Sequence, residues 1–260
     1  MSPKISIITI NYNNREGLER TFDSVFSQNY TNFEYIVIDG ASNDGSKELI
    51  DQFSDKITFW VSEPDKGIYN AMNKGIDQVN GEYVFFLNSG DVFLDSNSLE
   101  KVSEELHTDD IISFNIQVVG ENTNFVKKCP QKLDFAFLYE DTLPHQSTFM
   151  KSDTFRIVGK YDEQISIVAD WKWFLMAVCR HNLKFRNVEE TISIFYLDGI
   201  SADEKSWPII RKERREILEK SVPFLLFEYE NRKKVENKLE GYESSRIVRM
   251  VKKLGFLKGL

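Results

Sequence analysis

The chain has 260 residues, 41% of them apolar and 13% aromatic, enough to bury a core in one large domain or two small ones. Thirty-three Lys and Arg stand against 41 Asp and Glu, and this net charge of -8 excludes a general nucleic-acid binder, which needs a basic surface. Cys129 and Cys179 are far apart and lack CxxC spacing, so they read as ordinary thiols in a reducing compartment rather than a disulfide or zinc framework. MSPKISIITI shows no small-residue cleavage site and reads as the first strand of a cytoplasmic protein. No apolar run approaches the roughly 20 residues that span a bilayer.

In chain order, the apolar, β-branched and aromatic runs 5–10, 33–38, 57–61 and 82–87 predict four buried strands. Between the first two, Leu18, Phe22, Val25 and Phe26 follow helical spacing. SKELIDQF gives a short helix, and Ile68, Met72, Ile76 and Val79 give a third. Strand–helix–strand at this spacing implies right-handed crossovers and a mostly parallel sheet covered on both faces. Farther on, 110–119 predicts a strand and TFMKSDTFRIVG a strand or turn leading into a short helix. DWKWFLMAVCR predicts a helix and 191–197 a last strand; from Trp207 the pattern is helical and charged.

Ligands of an open parallel sheet bind beyond the carboxyl ends of its strands. Here those ends read Thr9-Ile10-Asn11-Tyr12, Asp39-Gly40-Ala41-Ser42, Ser62-Glu63-Pro64-Asp65-Lys66-Gly67 and Asn88-Ser89-Gly90-Asp91. Each alone reads as a turn or helix cap; four on one lip predict a shared ligand site. A dinucleotide cofactor requires GxGxxG in the first turn, and TINYNNREG has no glycine cluster, so hydride chemistry is disfavoured. A nucleotide-sugar suits the lip better. Asp39 can accept the imide N–H of uracil, Lys66 can reach a phosphate, and Asp91 can hold Mg²⁺ or Mn²⁺, which favour oxygen ligands.

The stretches SIITINYNN, YIVIDGASNDGS, SEPDKGIYNAMNKGI and GEYVFFLNSGD together resemble the inverting, GT-A-fold family 2 glycosyltransferases, in particular the subgroup that builds bacterial surface polysaccharides. The resemblance is dense over roughly residues 4–100 and thinner over 144–202. It implies a GT-A-like, Rossmann-like α/β fold: a mostly parallel central sheet flanked by helices, with a C-terminal helical extension. With the strand–helix alternation stopping near residue 100 and the charged helical pattern starting near 206, the expected divisions are a nucleotide-sugar half at 1–100, an acceptor and catalytic-base half at 101–205 and the extension at 206–260. The donor would be a UDP-linked sugar and the acceptor a hydroxyl of a glycan or lipid-linked oligosaccharide. By the resemblance Thr9, Asn11 and Asp39 line the base and ribose pocket, with Tyr12 and Gly40 beside them. Asn88, Ser89, Gly90 and Asp91 occupy the place of the metal motif, and Asp170, heading a helix, that of the base that takes the acceptor's proton. Asn88 and Gly90 replace the usual acids of that motif, Met72 stands where many relatives carry arginine, and Ala169 replaces a glutamate.

His145 is a candidate for phosphate or acceptor binding, with a structural role as the alternative, and Trp171 is a candidate sugar platform at the cleft. Tyr196–Ser201 ends a strand with a glycine turn, a candidate start for a loop closing over the donor. Residues 244–260 carry five basic side chains and no acid around an apolar stripe, which fits a helix lying on the inner face of an anionic membrane, or equally one packed on the body or in a homodimer. The rival to an enzyme is a nucleotide-sugar-binding partner subunit without turnover, suggested by the depleted metal motif.

Overall fold

The computed structural model describes residues 3–197 and 204–244. β1 (Ile5–Asn11) is buried along its whole length, as a strand covered on both faces must be. It pairs in parallel with β2 (Phe33–Asp39) and with β4 (Tyr83–Phe86), and β2 pairs in parallel with β3 (Phe59–Ser62). α1 (Arg15–Phe26) returns the chain from β1 to β2. Asn14 caps it by accepting from the Gly17 N–H, and its buried Leu18, Phe22 and Val25 pack with Ile5, Ile7, Tyr35 and Val37. After α2 (Ser46–Gln52) and β3, α3 (Ile68–Ile76) covers the opposite face. A Cβ on its Gly75 would lie 2.6 Å from Ile8 Cγ2 and 3.6 Å from Ile38 Cγ1, so glycine is what allows the helix to ride so close to the sheet.

The second half is mixed rather than parallel. β5 (Val92–Phe93), α4 (Ser98–Glu105), β6 (Ile111–Gly120), β7 (Thr123–Lys127), α5 (Phe135–Glu140), β8 (Thr148–Lys151), α6 (Thr154–Val158), α7 (Ala169–Cys179) and β9 (Phe185–Tyr196) follow in order. The sheet runs β3-β2-β1-β4-β8-β6-β9-β5, with β7 on β6. β8 is wedged antiparallel between β4 and β6, and Phe149 stacks on Phe85 at 4.2 Å between ring centroids. Truncating such a buried ring costs about 3–5 kcal/mol. α8 (Trp207–Ser221) and α9 (Pro223–Ser244) complete the described chain, which divides into two compact units, up to Arg214 and from Arg215 onward.

Two strand boundaries differ from the sequence expectation. β3 starts at Phe59, because Ser54–Lys56 form a 3-10 turn. β9 starts at Phe185, six residues before the apolar run, because the charged stretch FRNVEE pairs with β6 through backbone bonds and a register shift between Phe114 and Ile116. The predicted basic stripe beyond Ser244 and the glycine turn at 198–201 lie outside the described residues. No helix among the described residues is long and apolar enough to cross a membrane.

Candidate active site

Because β1 to β4 run in parallel, their last residues share one edge. Asp39 is its hub and is fully buried. Its Oδ1 accepts from Asn11 Nδ2 at 2.8 Å and Ser42 Oγ at 2.6 Å, and its Oδ2 from the Ser42 N–H at 3.0 Å and Ser62 Oγ at 2.6 Å. One carboxylate thereby ties together the ends of β1, β2 and β3. Its neighbours are not satisfied in the same way: Asn11 Oδ1 and Asp65 Oδ1 are buried without a partner. Asp65 is pressed against the loop after β2, since a Cβ on Gly40 would lie 2.8 Å from Asp65 Oδ2 and 3.0 Å from the Tyr12 ring. Burial, with the nearby charges of Asp39 and Glu63 adding to it against Lys74, pushes the Asp65 carboxyl above the usual carboxylate range. The Tyr12 side chain stands on the rim, 69% exposed.

The turn after β4 forms the second group. Gly90 has φ +106°, a conformation that favours glycine, and its N–H donates to Thr21 Oγ1 of α1 at 3.0 Å. Asn14 Nδ2 donates to the Ser89 carbonyl at 3.1 Å, and Asp91 is almost wholly buried. Asn88 Nδ2 lies 3.0 Å from His145 Nε2, and Asn88 Oδ1 is buried without a partner. Turning this amide over would exchange the two atoms, so in either orientation Asn88 keeps one spare polar atom.

His145 connects that turn to Asp170. Its Nδ1 lies 3.7 Å from Asp170 Oδ2, and the Tyr69 hydroxyl, which also reaches the Ile167 carbonyl, donates to Asp170 Oδ1 at 3.0 Å. Burial alone would raise the Asp170 pKa, but the His145 contact, the backbone N–H of Trp171 and the Tyr69 hydroxyl outweigh it and hold the carboxyl below its usual range. Burial likewise works against a charged His145, yet Asp170 and the more distant charge of Asp91 raise its pKa above that of a free imidazole. The first residue pair of α7 thus presents an ionised carboxylate at neutral pH.

Several expected site residues sit elsewhere. Thr9 is fully buried on the Ile5 and Ile7 face of β1. Its Oγ1 lies 2.9 Å from the Tyr35 hydroxyl and donates to the Leu87 carbonyl at 2.6 Å, so it supports the lip from beneath and lines no pocket. Trp171 is 1% exposed, and its Nε1 donates to the Leu138 carbonyl at 2.7 Å; the indole is packed inside and offers no face to a sugar. Lys66 is exposed in a cleft of about 270 Å³ between the start of α3 and residues 163–166, where its charge acts on Glu163 rather than on the buried, unpartnered atoms.

With this geometry in place, the sequence profile described as Glycosyl transferase family 2 matches residues 6–164. The chain belongs to glycosyl transferase family 2. An uncharacterized glycosyltransferase, MT1564, of Mycobacterium tuberculosis (strain CDC 1551 / Oshkosh) is 32% identical over 181 residues, covering 68% of this chain and 69% of that protein. A PGL/p-HBAD biosynthesis glycosyltransferase of Mycobacterium bovis (strain BCG / Pasteur 1173P2) is 27% identical over 176 residues, covering 65% of this chain and 68% of that protein. Among solved structures, S. aureus TarS 1-349 in complex with UDP matches with a TM-score of 0.59 at 16% identity, over 74% of this chain. The mannosyltransferase PcManGT from Pyrobaculum calidifontis, in complex with GDP-Man and Mn²⁺, matches at 0.60 and 15%, over 81% of this chain. The transferase spans 60% and 61% of those two structures, and the likeness shows a shared GT-A fold.

Two residues of the candidate site were not singled out by the sequence reading. Asp65 stands in a turn whose Lys66 drew attention to a cation, and Tyr69 looks like an ordinary core position of α3. The signal available for Asp65 was its place at the third strand end, the same rule that picked out Asp39.

Proposed function

We propose that the transferase moves a sugar from a nucleoside-diphosphate donor, UDP-linked, to a hydroxyl of a glycan or lipid-linked acceptor, with inversion at the anomeric carbon. The observation that carries this reading is the set of buried polar atoms on Asn11, Asp65 and Asn88, unpartnered on one sheet edge, of which Asn88 is joined through His145 to an ionised Asp170. Each such atom costs about 1–3 kcal/mol when left unpaired. The imide N–H of uracil and the ribose hydroxyls would satisfy Asn11 Oδ1 and Asp65 Oδ1, with the exposed Tyr12 ring against the base. The UDP and UDP-GlcNAc complexes of TarS support a uridine donor, and the PGL/p-HBAD biosynthesis relative supports a role in a biosynthetic transfer.

Asp170 is the base of this reaction. The acceptor oxygen attacks C1, its proton passes to Asp170, and the bond from C1 to the diphosphate oxygen breaks with its electron pair on the departing nucleotide. Tyr69 and His145 fix the carboxylate for that transfer. Among the described residues no group of three or more His, Cys, Asp or Glu gathers to hold a metal. Asp91, and Asn88 in the orientation that leaves its oxygen unpartnered, would suit a divalent cation, Mn²⁺ or Mg²⁺, together with the donor's phosphates. Such a cation, when bound, neutralises the charge on the leaving diphosphate. The ionised, held Asp170 favours turnover over a purely binding subunit.

A thermal-unfolding panel of UDP, GDP, UDP-GlcNAc and GDP-mannose, each with and without Mn²⁺, tests the donor class. A ligand at 100 times its Kd stabilises by about 2.7 kcal/mol. Uridine diphosphates should raise the melting temperature most, and no response to any nucleotide would refute the reading.

A further inference from the structure

One more buried polar atom lacks a partner among the described residues: Nε of Arg214 on α8. The guanidinium lies over the Trp171 ring, 4.9 Å from its centroid. It feels the negative charges of Asp170 and Asp141, while burial lowers its pKa. Yet it forms an ion pair with neither carboxylate: Asp141 is taken by Lys127 at 2.8 Å, and Asp170 by His145 and Tyr69. The preceding Glu213 anchors this turn of α8, accepting from the N–H groups of Ser166 and Ile167 at 2.7 and 3.1 Å. An arginine held this way has its planar fork pre-arranged at little further entropic cost, the geometry that binds phosphate and carboxylate in a bidentate manner.

We propose that Arg214, backed by Trp171, forms an oxyanion subsite beside Asp170 that receives a phosphate group of the acceptor. This deepens the proposed function and rests on the reading of Asp170 as base. The elements that carry the subsite are α5, α7 and α8, whereas the unpartnered atoms assigned to the donor side come from β1, the turn after β4 and the loop after β3. An acceptor-side source is therefore favoured over the donor diphosphate. A cation at this point also offsets the repulsion that Asp170, in a chain of net charge -8, would exert on an anionic acceptor.

Inorganic phosphate is the probe, titrated by calorimetry into the full chain at fixed ionic strength, with and without saturating UDP. The wild type should bind phosphate in both conditions. Arg214→Gln should weaken that binding at least about tenfold, whereas Arg214→Lys, which keeps the charge without the fork, should fall between. Absence of phosphate binding by the wild type would overturn the proposal without recourse to any variant. So would phosphate binding abolished by UDP, which would assign the anion to the donor pocket, or unchanged phosphate affinity in Arg214→Gln. UDP affinity, read in the same experiment, reports on the donor pocket alone and so separates failure of the donor reading from failure of this one.

Discussion

The two edges of the sheet handle buried polar groups in opposite ways. At the amino end of β2, Glu34 is 2% exposed and accepts from Lys4 Nζ, Ser6 Oγ and the N–H groups of Asn80 and Gly81. Five residues on, at the carboxyl end, Asp39 is equally well supplied, but it stands among Asn11, Asp65 and Asn88, each with a buried atom unpaired. All four buried side-chain atoms without a partner among the described residues belong to residues assigned to the donor or acceptor side of the site, and none lies near Glu34. A fold that closes one edge completely has the means to close the other; the gaps mark where a ligand belongs.

That contrast is open to direct perturbation. The largest effect falls at the closed edge, where Glu34→Gln should cost about 3 kcal/mol of stability, measured by urea unfolding, because the donors around it lose their charged acceptor. Its pH dependence has a definite sign. Burial opposes ionisation of Glu34, but the bonds from Lys4, Ser6 and Asn80 prevail and lower its pKa from 4.5. The stabilisation is therefore complete above pH 4.5 and drains away as pH falls through the lower folded value. Nucleotide affinity should not change, and a variant that lost UDP binding while remaining folded would break the distinction between the edges.

At the open edge Asp65→Asn should do the reverse. Removing a buried charge that faces Asp39 and Glu63 should leave stability at neutral pH equal or higher by about 1 kcal/mol, while nucleotide affinity falls about tenfold. A variant that is destabilised yet binds UDP normally would make Asp65 structural. The smallest effect is expected at His145. Replacing it with Gln removes the contact that lowers the Asp170 pKa, so the acid limb of the pH–rate profile should move to higher pH. Turnover at neutral pH should fall less than about tenfold, since Asp170 stays ionised. An unmoved acid limb would remove His145 from the site.

Much of this was legible in the sequence where the physics is periodic. Strands buried on both faces give unbroken apolar runs and α1 follows helical spacing, so the parallel half of the sheet could be read directly, whereas α7 is apolar nearly all round and the role of Asp170 at its head came from the family resemblance. β5 and β7 have two and five residues, too few to establish a period, and the first half of β9 is held by backbone bonds beneath charged side chains. Alternation alone places Thr9 two residues after Ile7, on the core face, a clue overridden by its polarity. The misplacement of Trp171 has the same root: a large ring beside a base resembles a sugar platform, and only packing shows that its N–H is committed to Leu138. The union of Asn88, His145, Asp170 and Tyr69 joins residues up to 101 positions apart and has no local signature.

The central claim is that Asp170 takes the acceptor's proton at an edge left open for the donor. It is tested most directly by comparing Asp170→Asn with the wild type for sugar transfer at saturating donor, with UDP-sugar affinity measured alongside. Loss of a general base predicts a fall in turnover of about 10²–10⁴-fold with donor affinity retained. Turnover within a few-fold of the wild type would contradict the account.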